Sequence, residues 1–262
     1  MTPSSRLPLS ADRIELLITL SSNSWPGPEL LDEVDSTNRV LAERSDAREG
    51  TTIVAEIQTA GRGRLGRTWE SPWGSGVWMS VLVRPADQPR ASWAWLPLIA
   101  ALAVRDALAA ACRLDCGLKW PNDLVSGGDE VRKLGGILVE VAGPEAVIIG
   151  IGVNMSLLKA ELPTEAATSV FLEGGEPDRE AFVVALQGAL EARLADWRAG
   201  ESAIDDYRGA CVTVGRQVTV HLPDGTELAG LAEGIAEDGR LMVNTEGNLV
   251  IVAAGDVIHA TI

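Results

Sequence analysis

The chain has 262 residues, 46 % hydrophobic and 23 % charged, enough to bury a core and to add a second, smaller unit. Its formal net charge of −15 excludes a general nucleic-acid or anionic-membrane surface, so any anion it binds must be held locally. Cys112, Cys116 and Cys211 show no zinc-ligand spacing, and their odd number argues against a disulfide framework; a reduced, cytoplasmic location is expected. His221 and His259, the two histidines, both fall in the C-terminal part, so histidine-based catalysis is not expected.

In chain order, Ala11–Leu20 has apolar residues at helical spacing, stopped by Pro26-Gly-Pro28. The opening stretch has no long apolar core and is not a secretory signal. Leu30–Val34 reads as a short strand. Asp35-Ser-Thr-Asn38 then precedes an amphipathic run and marks a helix N-terminus, where orphan N–H groups point outward. Such a corner can hold a polar ligand head; simple capping is the commoner explanation of such a cluster, but one cap needs one residue and three further polar side chains stand at this corner. Thr51–Ile57 and Val77–Val83 alternate as strands. Ala91–Ala111 is apolar but broken by Arg105 and Asp106 and contains Pro97, so it reads as a buried helix spanning Trp93–Ala111 and not a membrane span.

Gly117–Trp120 is a short strand. Asp123–Ser126 and Val131–Val141 read as a hairpin around Gly127-Gly-Asp129, and Ala146–Val153 is a wholly apolar strand closed by Asn154. Pro177–Ala199 and Glu201–Gly209 follow as helices. After Cys211 come short strands with turns at Pro223-Asp-Gly225, Glu237-Asp-Gly239 and Glu246-Gly-Asn248, which predict a small barrel and a boundary near residue 211.

The stretch at residues 57–76 stands out. Arg62, Arg64 and Arg67 alternate with Gly61, Gly63 and Gly66, no acid precedes Glu70, and Trp69 and Trp73 follow. Glycine lets backbone N–H groups come close to a ligand, and arginine offers planar forks for carboxylate and phosphate oxygens. In an acidic chain this reads as an anion-gripping loop with a tryptophan to cover a flat ligand. Gly61–Gly66 also matches GxGxxG literally. A dinucleotide fingerprint, however, needs a helix opening at the third glycine, and Arg67-Thr-Trp-Glu-Ser-Pro cannot supply one.

Two further places carry chemistry. Lys119-Trp-Pro-Asn-Asp123 puts Asn122 and Asp123 at a strand end, either as a plain turn or as a carboxylate for Mg²⁺. Lys133-Leu-Gly-Gly-Ile-Leu-Val-Glu140 starts an apolar strand with a lysine and two glycines, where a ligand can approach closely; a solvated strand-end lysine is the alternative.

Asp35–Asn38, Gln58–Trp69, Lys119–Asp123, Lys133–Glu140 and Gly150-Ile-Gly-Val-Asn154 together resemble, in order and spacing, the biotin protein ligases (biotin–[acetyl-CoA-carboxylase] ligases), over roughly residues 28–262. The resemblance implies an α+β fold: a class II synthetase-like mixed-sheet catalytic domain at residues 1–210 and an SH3-like β-barrel at residues 211–262. It implies that Ser36, Thr37, Asn38, Gln58, Arg62, Gly63, Arg64, Lys133 and Gly136 bind biotin. Arg62, Arg64, Arg67, Trp69, Asn122, Lys133 and Asn154 would bind the nucleotide, with Trp69 on adenine, and Asp123 would bind Mg²⁺. Lys133 and Arg64 would carry catalysis.

The implied activity is ATP-dependent formation of biotinyl-5′-AMP and transfer of biotin to a lysine of a biotin carboxyl carrier protein domain. Members of the family that also act as repressors carry a DNA-binding domain before the first core strand. Only about 27 residues precede it here, so a ligase without repressor function is expected, binding neither nucleic acid nor membrane, as a monomer or weak homodimer. A lipoate–protein ligase and a non-catalytic biotin- or nucleotide-binding regulator are the alternatives. The polar Ser-Thr-Asn and Gln58 corner favours biotin over the first, and Lys133 speaks against the second.

Overall fold

The computed structural model describes residues 6–44, 46–126 and 131–259. In chain order the elements are α1 (Ala11–Thr19), β1 (Glu29–Val34), α2 (Thr37–Ala42), β2 (Thr52–Gln58), β3 (Gly61–Arg62), β4 (Thr68–Trp69), β5 (Gly76–Val83), α3 (Leu96–Cys112), β6 (Gly117–Lys119), β7 (Asp123–Val125), β8 (Lys133–Val141), β9 (Val147–Asn154), α4 (Arg179–Arg198) and α5 (Ile204–Ala210). Then follow β10 (Gln217–His221), β11 (Glu227–Ile235), β12 (Leu241–Thr245), β13 (Asn248–Val252) and β14 (Asp256–His259).

Among the described residues, seven strands form a mixed sheet in the order β1-β2-β5-β9-β8-β7-β6. Only β1 and β2 run parallel; the other pairs are antiparallel. Side chains alternate between the faces of a strand, and the two faces of this sheet have different tasks. Val54, Met79, Val81, Ile149 and Ile151 join the main core with residues of α3 and α4. On the opposite face Ile53, Leu82 and Ile148 pack with Leu41 of α2 in a smaller cluster. One register line crosses this face: Lys119 opposite Asp123, Asp123 opposite Gly136, Gly136 opposite Gly152, and Gly152 opposite Trp78. Two adjacent glycines make a flat floor there.

The apolar helix is interior, with Leu96, Leu98–Val104, Ala107 and Leu108 buried. By length and composition Arg90–Cys112 could cross a membrane, but 67 % of that window is buried in the protein. Its start differs from expectation: Arg90–Trp95 is a 3₁₀ turn, and the α-helix opens at Leu96 with a proline in its first turn, where the ring and missing N–H cost nothing. β7 and β8 pair as the expected hairpin arms; the turn expected at residues 127–129 lies outside the described residues.

The C-terminal strands form a five-stranded antiparallel sheet, β13-β12-β11-β10-β14, with turns at the expected places. Gly225 and Gly239 in two of them have φ of +84° and +81°, a conformation that favours glycine. This sheet leans on the first. Trp120 Nε1 donates to Gly239 O at 3.0 Å and Trp95 Nε1 to Glu237 O at 3.2 Å.

Candidate active site

One cavity on the face opposite the main core gathers most of the expected residues. Ser36, Thr37, Asn38, Gln58, Arg62, Gly63, Arg64, Arg67, Trp69, Asn122, Asp123, Lys133 and Gly136 all line it. Segments from distant parts of the chain meet there: the start of α2, the loop between β2 and β5, strands β7, β8 and β9, and Asp256 of β14.

At one end is a buried polar corner. The Ser36 side chain, at the N-cap of α2, makes no capping hydrogen bond, so its hydroxyl is not committed to the helix. Thr37 donates from its backbone N–H to Gln58 Oε1 at 2.8 Å, which fixes the Gln58 amide across the corner. Asn38 Nδ2 donates to Glu140 at 2.6 Å, and Ser80 Oγ donates to Asn38 Oδ1 at 2.6 Å. Ser36, Thr37, Asn38 and Ser80 are each no more than 5 % exposed. A corner this dry holds its polar groups in fixed directions and suits a polar, uncharged ligand ring.

Cations line the middle and far end. The arginine loop is a two-strand ribbon, β3 against β4, closed by a 3₁₀ turn at Arg64–Gly66. Leu65 at its tip has φ +57° and is 69 % exposed. Arg62 reaches Glu140 at 3.5 Å, and Arg67 is ion-paired with Asp256 of β14. Arg64 donates to Asn122 Oδ1 at 3.1 Å and to Gly255 O at 3.3 Å. Burial holds the Arg64 pKa below the usual guanidinium range; Asp123 opposes the shift and Arg67 adds to it. Lys133 Nζ sits 2.6 Å from Asp123 Oδ1 and 5.4 Å above the Trp69 ring.

Trp69 lies over the glycine floor: its ring would be 3.5 Å from a Cβ at Gly152, and it meets the Trp78 ring edge-on. Its buried indole N–H has no hydrogen-bond partner among the described residues, a donor that a ligand can satisfy. The ring therefore lies on the floor of the cavity beside Lys133.

Asn154 is not among the cavity's lining residues. It is 4 % exposed, and its Nδ2 donates to Thr168 O at 2.9 Å, which ties the end of β9 to the following loop. The sequence alone does not single out Ser80, Gly255 or Asp256, and it offers Gly150 only as part of the Gly150–Asn154 motif. Ser80 is a lone hydroxyl in an apolar strand, a weak signal. Asp256 lines the cavity, and the Gly255 carbonyl reaches Arg64, because the second sheet folds back toward the first. No cluster of three or more His, Cys, Asp or Glu suited to a metal occurs among the described residues, which leaves single carboxylates such as Asp123.

Residues 30–154 match the model of the Biotin/lipoate A/B protein ligase family, and residues 213–260 match that of the Biotin protein ligase C terminal domain. The chain is 38 % identical over 268 aligned residues to the biotin–[acetyl-CoA-carboxylase] ligase of Mycobacterium tuberculosis, covering 99 % of both. It is 34 % identical to the bifunctional ligase/repressor BirA of Bacillus spizizenii, over 86 % of this chain and 72 % of that one. The structure of biotin protein ligase from Aquifex aeolicus in complex with biotin and ATP superposes with a TM-score of 0.76 at 28 % identity, covering 89 % of this chain and 98 % of that one. A matching catalytic-domain model, a matching C-terminal model and a full-length relative at this identity converge: the chain belongs to the biotin protein ligase family.

Proposed function

We propose that this chain activates biotin with ATP to biotinyl-5′-AMP and transfers the biotin to a lysine of a biotin carboxyl carrier protein domain, as the name of its Mycobacterium relative suggests. The observation that carries the reading is a single cavity joining the dry Ser36–Thr37–Asn38–Gln58 corner to Arg62, Arg64, Arg67 and Lys133. A ligand with a polar uncharged head, an apolar arm and an anionic end fits that sequence of surfaces. Biotin has this shape: its ureido ring takes the corner, its arm lies along Gly150, Gly152 and Trp69, and its carboxylate meets Arg64 and Lys133.

The chemistry then needs charge, not a protein nucleophile. A carboxylate attacking the α-phosphorus of ATP brings two anions together, and the phosphoryl oxygens gain charge in the transition state. Arg64 and Lys133 offset that repulsion. Arg62 and Arg67 approach the nucleotide from the loop, with Asn122 orienting Arg64. Asp123 is a single carboxylate at the cavity wall, which suits a magnesium ion that keeps most of its waters and takes phosphate oxygens. Such an ion would neutralise phosphate charge.

The adenylate hydrolyses in open water, so the loop must exclude it. Gly255 and Asp256 give Arg64 and Arg67 something to close against, and the second sheet thereby acts on the site. We assign residues 1–210 to the catalytic unit and residues 211–262 to this covering unit, and place the protein in the cytoplasm with its carrier substrate.

The test is incubation with ATP, Mg²⁺, a purified carrier domain and either biotin or lipoate. Mass spectrometry of the carrier should show one added biotin on one lysine. Modification by lipoate alone would keep the fold and overturn the substrate; no modification by either would overturn the reading.

A further inference from the structure

A row of oxygens runs through the buried polar corner. Asn38 Oδ1 is 2.6 Å from Ser80 Oγ, Ser80 Oγ is 2.7 Å from Thr37 Oγ1, and Thr37 Oγ1 is 3.1 Å from Gln58 Oε1. Each of these three contacts needs one proton between its two oxygens. Both ends of the row are carbonyl oxygens, and neither amide can turn over. Asn38 Nδ2 faces Glu140 Oε2 at 2.6 Å and Leu138 O at 3.4 Å, groups that only accept, so its Oδ1 must face Ser80. Gln58 presents Oε1 because the Thr37 backbone N–H donates to it at 2.8 Å. Only the Ser80 and Thr37 hydroxyls bring protons, and two protons serve three contacts.

Ser80 is wholly buried, and Thr37 and Asn38 are at most 5 % exposed, so bulk solvent does not make up the difference. The longest contact, Thr37 to Gln58, is the one that goes without. Thr37 then donates to Ser80, Ser80 to Asn38, and Asn38 to Glu140, so every donor in the row points toward the one charge at its end. Thr37 Oγ1 and Gln58 Oε1 are left side by side on the cavity wall, each with lone pairs and no proton between them. Glu140 does not line the cavity. Its other oxygen lies 3.5 Å from the half-exposed Arg62, a pair that solvent screens.

Resting on the ligase reading above, we infer that Glu140 is a positioning residue that sets the hydrogen-bond polarity of the corner. It acts through Asn38 and Ser80 and does not touch the ligand. Its carboxylate pins the Asn38 amide in one orientation, draws both hydroxyl protons along the row, and leaves Thr37 and Gln58 as acceptors. A ring that brings two N–H groups, as a cyclic urea does, completes such a corner. A ring with oxygen in place of one N–H sets lone pair against lone pair. With an amide in place of the Glu140 carboxylate, Asn38 is free to turn over, giving up only the long contact to Leu138 O. Its Nδ2 then serves Ser80, the Ser80 proton serves Thr37, and the Thr37 proton serves Gln58. The shortage disappears, and the demand for two ligand N–H groups goes with it.

Biotin-dependent ATP–pyrophosphate exchange by the unaltered chain is measured first; its absence would remove the ligase reading and with it this assignment. With exchange present, calorimetry compares biotin with its cyclic carbamate analogue, in which oxygen replaces one ring N–H. The unaltered chain should bind biotin about tenfold or more tighter, the scale of leaving a buried acceptor unpaired. Equal binding would overturn the assignment and leave the ligase reading standing. Glu140→Gln, which keeps the shape and removes the charge, should raise the Kd for biotin by about tenfold and narrow the preference over the carbamate to about twofold. The KM for ATP at saturating biotin should stay within about twofold. An unchanged preference in the variant would overturn the proposal, and so would a parallel rise in the KM for ATP, which marks a residue that only supports the sheet. Ser80→Ala cuts the row between Glu140 and Thr37, so adding Glu140→Gln to it should change the Kd for biotin by no more than about twofold. The full effect of Glu140→Gln in that background would contradict action through Ser80.

Discussion

Asn38 stands so close to Gly150 that a Cβ on that glycine would lie 2.4 Å from Asn38 Oδ1. Asn38 cannot swing away cheaply, because Ser80 and Glu140 hold both ends of its amide. Gly150→Ala should therefore cost about 1–3 kcal/mol of stability, typical of overpacking, and weaken biotin binding by more than the stability loss explains. Urea unfolding and biotin calorimetry on the same preparation separate the two. Unaltered biotin affinity would show that the corner does not hold the biotin head.

Glu56 and Arg179 form a buried ion pair, their side chains 5 % and 9 % exposed. Arg179 also donates to Gly76 O and Leu7 O, each at 3.1 Å, while Glu56 accepts from Leu9 N–H and its carbonyl from Gly74 N–H. The pair thus joins both stems of the arginine loop to the N-terminal segment. Removing one partner leaves a buried charge alone, so Arg179→Met should destabilise by about 3–5 kcal/mol. A loss below about 1 kcal/mol in denaturant unfolding would mean that water compensates Glu56.

The Arg67–Asp256 pair is different, because Arg67 is 60 % exposed. Such pairs contribute at most about 1 kcal/mol, so Asp256→Asn should leave the melting temperature nearly unchanged. It should instead free the loop: cleavage within residues 60–75 by a protease should speed up in the ligand-free protein, and biotinyl-5′-AMP should suppress cleavage. Equal cleavage with and without the adenylate would refute the idea that the loop orders over the intermediate.

His259 gives a pH signature. Burial first, then Lys119 and Arg216, lower its pKa from 6.5 to about 4. The unfolded chain therefore takes up this proton first as pH falls, and the folded state loses stability between about 6.5 and about 4, with no contribution above that window. His259→Gln should flatten the decline across that window in denaturant titrations. An unchanged slope would assign it to other groups.

The site was legible in the sequence where its parts are local strings. A loop of arginines and glycines, Ser-Thr-Asn before a helix and a lysine before two glycines each announce themselves by residue type. Asn154 shows the limit: the end of a buried strand reads the same whether its amide faces a ligand or, as here, the Thr168 carbonyl. Ser80, Gly255 and Asp256 were illegible for another reason. Their significance comes from register across β5–β9 and from how the second sheet leans on the first, and both are set by packing between segments far apart in the chain. The fold was legible at the level of elements because apolar periodicity and turn residues agree; the fusion of the 3₁₀ turn at Arg90–Trp95 onto α3 was not, since an apolar run does not record where its helix type changes.

The central claim is that Lys133 and its neighbours adenylate biotin. The most direct measurement is biotin-dependent ATP–pyrophosphate exchange by the unaltered chain and by Lys133→Ala. The prediction is exchange that requires biotin and falls by about 10²-fold or more in the variant, the scale of losing one electrostatic stabiliser of the transition state. Exchange of equal rate in both, or none in the unaltered chain despite measurable biotin binding, would contradict it.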